Sequence, residues 1–155
     1  MADLVTIFEI ISMFGSVYFA VPVIAFLWLK KDKKLTLNFI FAFILTTLVA
    51  YGLKFIFQTQ RPGVTEKVPF YNSAFPSGHA SRAFLYSVFL SQKFEKFDRY
   101  FFFIFAILAA AGRVITGAHS VIDVIAGSII GFAVSWLCIK YQGRILKFFK
   151  LSNIS

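Results

Sequence analysis

No charged side chain occurs between residues 10 and 29. A run of that length matches the about 20 apolar residues that a helix needs to cross a bilayer. In lipid every backbone N–H and C=O must be paired within the segment, so such a run is constrained to be a helix. Residues 35–53 repeat the pattern and end at Lys54. Residues 100–117 and 119–139 give two more spans, and a shorter helix is expected from Ser77 to about Gln92. The hydrophobic fraction is 59%, with 22 Phe, well above that of soluble domains. The expectation is an all-α, polytopic transmembrane bundle of about five spans, forming a single domain over residues 1–155. Pro22 is expected to kink the first span. No basic segment precedes that span, so it reads as retained and not as a cleaved signal peptide. Residues 55–76 carry Pro62, Gly63, Pro69 and Pro76 and read as a loop. Cys138 is the sole cysteine, so no intrachain disulfide can form.

The basic residues are unevenly placed, and this orients the chain. With the N-terminus outside, the inner segments hold Lys30, Lys31, Lys33, Lys34, Lys93, Lys96, Arg99, Lys140, Arg144, Lys147 and Lys150, which is 11 of the 16 Lys and Arg. Topology and headgroup contact explain these inner charges, and no nucleic-acid partner is implied. Lys54, Arg61, Lys67, Arg82 and Arg113 fall on the outer side. Gly127 with Gly131, and Ala106 with Ala110, are small residues four apart and read as helix seams. The Phe residues face lipid or fill the bundle.

Three polar stretches stand out in these apolar surroundings, where polar groups are costly and usually functional. In the stretch from Gly112 to Asp123, His119 and Asp123 lie four apart, which on a helix is one face. A carboxylate beside an imidazole can hold one ring nitrogen and leave the other aimed at a reacting centre. Arg113 offers a planar fork suited to phosphate. A plainer reading of Ser120-Val121-Ile122-Asp123 is a capping box. In Pro76-Ser77-Gly78-His79, Ser77 suits an N-cap, Gly78 allows close approach, and the helix N-terminus can hold an anion. The plainer reading is a capped helix with an interfacial histidine. Lys54, followed by Arg61-Pro62, is either a snorkelling anchor or a third part of one site. All three stretches fall at helix ends on the same outer face.

Taken together, Lys54-x6-Arg61-Pro62, Pro76-Ser77-Gly78-His79 and Arg113-x5-His119-x3-Asp123 resemble the three-part signature of the type 2 phosphatidic acid phosphatase (PAP2) superfamily. The order and spacings agree from Lys54 to Asp123. The resemblance implies that His119 is a nucleophile forming a phosphohistidine, that Asp123 orients it, and that His79 protonates the leaving oxygen. It further implies that Lys54, Arg61, Arg113, Ser77 and the Gly78 N–H bind phosphoryl oxygens. Charge spread over equatorial oxygens suits such fixed cations. The sequence departs from the family pattern at Gly112, where Ser is usual, and in having one helix fewer than the usual six, the missing one falling ahead of the signature.

No metal or other cofactor is expected, because Asp123 and Glu66 are too few acids for a metal site. Arg82, one turn below His79, either touches the phosphate or pairs with a neighbour, and is left outside the core site. Glu66 and Lys67 read as solvated loop charges, and residues 68–75 as an aromatic belt beside the entrance. The expected partner is a phosphorylated membrane lipid: undecaprenyl diphosphate, phosphatidylglycerophosphate, phosphatidate or lipid A 1-phosphate. The small size points to a bacterial inner membrane, with the site facing the periplasm or exterior. A phosphotransferase using the same intermediate is the alternative. A non-catalytic anion or lipid binder is the reading from another class, and vanadate-dependent haloperoxidase chemistry ranks below it. Oligomeric state is not legible.

Overall fold

The computed structural model describes residues 2–64 and 69–149. Glu66, Lys67, Val68 and Lys150, on which expectations were placed, lie outside the described residues. The described chain is 82% helical and contains no strand. Its helices are α1 (Ala2–Ser12), α2 (Ala20–Leu29), α3 (Lys33–Phe57), α4 (Gly78–Leu90), α5 (Lys96–Ile115), α6 (Val121–Lys140) and α7 (Gln142–Phe148).

Helices α3 and α6 are each long and apolar enough to cross a membrane. The segments Asp3–Gly15 and Val17–Leu29 meet that test as a bent pair, at 50° to one another. The count by length and composition is therefore two, or three with the bent pair, against about five expected. Helix α4 has 13 residues, and α5 carries Lys96, Asp98, Arg99 and Arg113 within its length.

The first span breaks at Ser16, whose ψ of 156° is extended, and not at Pro22 as expected. Pro22 falls in the first turn of α2, where its missing N–H costs no hydrogen bond. A break frees carbonyls that must find donors at membrane depth. Arg82 Nε donates to the Gly15 carbonyl at 2.9 Å, and the Tyr86 hydroxyl donates to the Ser16 carbonyl at 2.9 Å. Both donors come from α4. A Cβ added to Gly15 would lie 2.3 Å from the His79 carbonyl oxygen, so only glycine permits this approach.

Helix α4 is the centre of the bundle and packs on α3, α5, α6 and the N-terminal segment. Its residues Leu85 to Leu90 are all buried. Helix α6 meets it with small residues: Gly127, Gly131, Ser135 and Cys138 are buried, while Ile122, Ile125, Ile129, Phe132 and Trp136 are exposed. Small residues inward and large apolar residues outward is the pattern of helices packed within lipid. An added Cβ would lie 2.4 Å from the Ser77 carbonyl oxygen at Gly127 and 1.9 Å from the Ser81 carbonyl oxygen at Gly131. The expected seam is thus between α6 and α4. Asn38 ties α3 to α6 through a buried bond from Nδ2 to the Cys138 carbonyl, 3.0 Å. Leu27, Phe39, Tyr86 and Phe89 fill the core on the far side of α4.

Several boundaries differ from expectation. Helix α5 begins at Lys96, absorbing the charged segment before Tyr100. Helix α6 begins at Val121, so His119 sits in the connecting turn and not on the helix. At the opposite end of the bundle, Asp32 caps α3 and pairs with Lys93 beyond α4.

Candidate active site

The C-terminal end of α3, the N-terminus of α4 and the α5–α6 turn meet around a cavity of about 160 Å³. Lys54, Arg61, Gly78, His79 and His119 line it. Ser77, Asp123 and Arg113 are not among its lining residues.

Each side chain is held by local structure. Gln58 closes α3 in the left-handed region at φ 42°, and the chain turns back toward α4. Thr59 organises this loop: its carbonyl accepts from the Ala74 N–H at 2.9 Å, and its hydroxyl accepts from the Phe75 N–H at 2.8 Å. Lys54 Nζ donates to the Ser73 carbonyl. An ammonium has three donors, so others stay available to a ligand. Arg61 Nε donates to the Asn72 carbonyl at 3.0 Å, which leaves the outer edge of its fork unbonded to Asn72. Ser77 is the N-cap of α4, as expected, and accepts from the Ala80 N–H. The first N–H groups of α4 therefore open on the cavity where Gly78 and His79 line it.

The His119 turn is fixed by its backbone. Gly117 takes φ 69°, and the His119 N–H donates to the Arg113 carbonyl at 3.0 Å. His119 Nδ1 lies 3.8 Å from Asp123 Oδ2, a contact too long for a hydrogen bond, and Nδ1 has no other partner. The same carboxylate accepts from the Ser120 N–H at 2.8 Å, and Ser120 Oγ accepts from the Asp123 N–H at 3.3 Å. The capping box and the His–Asp contact therefore coexist: the cap holds the carboxylate beside the ring. The Asp123 carbonyl accepts from the Ser77 N–H at 2.9 Å, joining the second and third polar stretches directly.

His119 is only 3% exposed. Burial, then the neighbouring Arg61, Arg113 and Lys54, push its imidazole down to about 4, with Asp123 opposing. The ring is therefore neutral at pH 7, with a lone pair free on one ring nitrogen. The protein has two histidines, so NMR of ring-labelled protein in detergent resolves them, and the signal lost in His119→Ala identifies its own. That signal is expected to titrate near pH 4; titration near 6.5 would mean a wetter or less cationic site.

Thr46, Thr47, Ser81, Arg82, Tyr51 and Tyr71 also line the cavity. Arg82, left outside the core site on the sequence, is among the lining residues. Arg82 is three residues from His79, and Thr46 is eight from Lys54, both same-face spacings on a helix. Those spacings were the available signal. Among the described residues no three of His, Cys, Asp and Glu gather as metal ligands would.

The sequence profile of the PAP2 superfamily matches residues 35–147. The chain belongs to the PAP2 superfamily. It is 27% identical over 140 residues to an undecaprenyl-diphosphatase from Sulfolobus acidocaldarius, across 85% of this chain and 68% of that protein. Its fold resembles the crystal structure of LpxE from Aquifex aeolicus at a TM-score of 0.80 and 27% identity, covering 91% of this chain and 88% of the other. Against the PAP2 pattern, Gly112 acquires a physical reason. A Cβ there would lie 2.9 Å from the Phe8 carbonyl oxygen, so the absent side chain makes room for α1.

Proposed function

We propose that this protein is an integral membrane phosphatase that hydrolyses a lipid phosphate or diphosphate through a phosphohistidine, without a metal. The observation that carries this reading is one cavity lined by two imidazoles, Lys54 and Arg61, with Asp123 set behind one imidazole. His119 Nδ1 faces the carboxylate, which leaves Nε2 to attack phosphorus. His79 takes up a proton as the substrate's negative charge enters the cavity, and as the N–P bond forms and the P–O bond to the lipid breaks it gives that proton to the leaving oxygen. Water then attacks phosphorus, His79 takes the proton of that water, and the N–P bond breaks to release phosphate. Lys54, Arg61 and the Gly78 N–H stabilise the equatorial oxygens from the cavity wall, while Arg113 adds positive charge beside the His119 imidazole and Ser77 caps the α4 N-terminus. Asp123 stabilises the charge that develops on the ring.

The substrate reaches the cavity from the outer leaflet of a bacterial inner membrane, in a five-span bundle with the N-terminus outside. The candidate lipids are undecaprenyl diphosphate, phosphatidylglycerophosphate, phosphatidate and lipid A 1-phosphate. The name of the Sulfolobus relative favours a lipid diphosphate. The test is phosphate release by detergent-purified protein from this panel with EDTA present. Release that survives EDTA is expected. Activity lost in EDTA and restored by a divalent ion would overturn metal independence. No release from a folded sample, with phosphate passed instead to an added lipid or sugar acceptor, would establish a transferase.

A further inference from the structure

The cavity is larger than one phosphoryl group. Its volume of about 160 Å³ has room for roughly five waters at their share of liquid volume. It runs from Lys54 back along α3 to Thr46, eight residues or about 12 Å of helix. This lower part is polar, although it lies where apolar packing would be cheaper. Thr46 is 1% exposed, lines the cavity, and its hydroxyl has no hydrogen-bond partner. The hydroxyl of Thr47, beside it, is also without one. Helical threonines ordinarily bond a carbonyl one turn back. A buried hydroxyl left unpaired carries a desolvation penalty, which a ligand in the cavity would relieve.

Arg82 supplies the charge. Its Nε is committed to the Gly15 carbonyl, which fixes the guanidinium plane. Its Nη1 lies 3.1 Å from where a Gly78 Cβ would stand, so the free edge of the fork sits over the first turn of α4. Lys54, Arg61 and Arg82 are three cations on a cavity wall that holds no carboxylate. A phosphomonoester brings only about two negative charges.

We infer that Arg82 and Thr46 form a second anion subsite, which takes the lipid-proximal phosphate of a diphosphate while the terminal phosphate lies against His119. This rests on the phosphatase reading and narrows it to lipid diphosphates. Arg82 is then a specificity-determining residue: its fork binds an oxygen of the phosphate that is not transferred, and Thr46 donates to another.

The experiment compares wild type, Arg82→Gln and Thr46→Val on a polyprenyl diphosphate and a polyprenyl monophosphate of equal chain length. In Arg82→Gln, kcat/KM for the diphosphate is expected to fall at least tenfold further than for the monophosphate. In Thr46→Val the ratio is expected to fall about threefold, with no loss of Tm, because the variant removes an unpaired hydroxyl. Thr46→Val leaves the Gly15 bond intact, so it decides the matter if Arg82→Gln fails to fold. Equal proportional losses on both lipids would overturn the subsite alone and leave Arg82 as a brace for the Gly15 break. Hydrolysis of neither lipid by folded wild type would overturn the phosphatase reading and the subsite with it.

Discussion

His119→Ala is expected to abolish lipid-phosphate turnover, by about 10⁴-fold or more, while leaving Tm within a few degrees of wild type. The two halves of this expectation have separate causes. In the proposed mechanism His119 is the nucleophile, so its removal closes the covalent route and leaves the cations only to bind the substrate. The fold survives because the turn is held by its backbone: the His119 N–H bonds the Arg113 carbonyl, and the side-chain nitrogen Nδ1 bonds nothing. Asp123→Asn serves as the graded comparison. An amide oxygen can still accept from the Ser120 N–H, so the cap persists, but the charge beside the ring is gone. A loss of about 10²- to 10⁴-fold is expected, as when an orienting acid is neutralised elsewhere. Turnover and thermal unfolding in the same detergent check both. Near-wild-type rates in Asp123→Asn would reduce that residue to its capping role, and a non-catalytic lipid binder would keep its function in His119→Ala.

The second large effect is expected far from the imidazoles. Gly131→Ala adds one methyl group, yet its Cβ would lie 1.9 Å from the Ser81 carbonyl oxygen and 2.9 Å from the Ser81 Cα. These are backbone atoms, so no rotamer change relieves the contact, and α4 must move off α6. Overpacking of a close-packed interior costs about 1–3 kcal/mol and more where the backbone must shift. Because α4 carries His79 and Arg82, displacement also misplaces two cavity residues. The expected result is a clearly lowered Tm together with turnover reduced by about tenfold or more, since misplacement of about 1 Å is enough to cost that. Gly52→Ala is the control: nothing lies within 4 Å of its added Cβ, and wild-type Tm and turnover are expected. A Gly131→Ala protein with wild-type Tm would mean that the two helices do not approach this closely.

The N-terminal segment shows how a fold can support a site that its residues do not enter. Gly15 packs on the His79 carbonyl, and its own carbonyl holds Arg82. The break in the first span thus fixes two α4 residues that line the cavity. Nothing in residues 10–29 taken alone distinguishes Ser16 from Pro22 as the breaking point. The choice depends on donors from α4, 67 residues later for Gly15 and Arg82.

The sequence alone determined what is local. Apolar runs without charges specified helices, because lipid leaves the backbone no other way to pair. Ser77 before Gly78 specified the start of α4, and the spacings from Lys54 to Asp123 specified the PAP2 family, which depends on residue type and order. Tertiary structure decided what depends on two segments meeting. It put His119 in a turn and not on a helix, because Ser120 caps α6 and the helix starts only at Val121. It set Asp123 both to cap and to face the imidazole. It brought Arg82 and Thr46 to one cavity, since the packing of α3 against α4 selects which face of each helix the cavity sees.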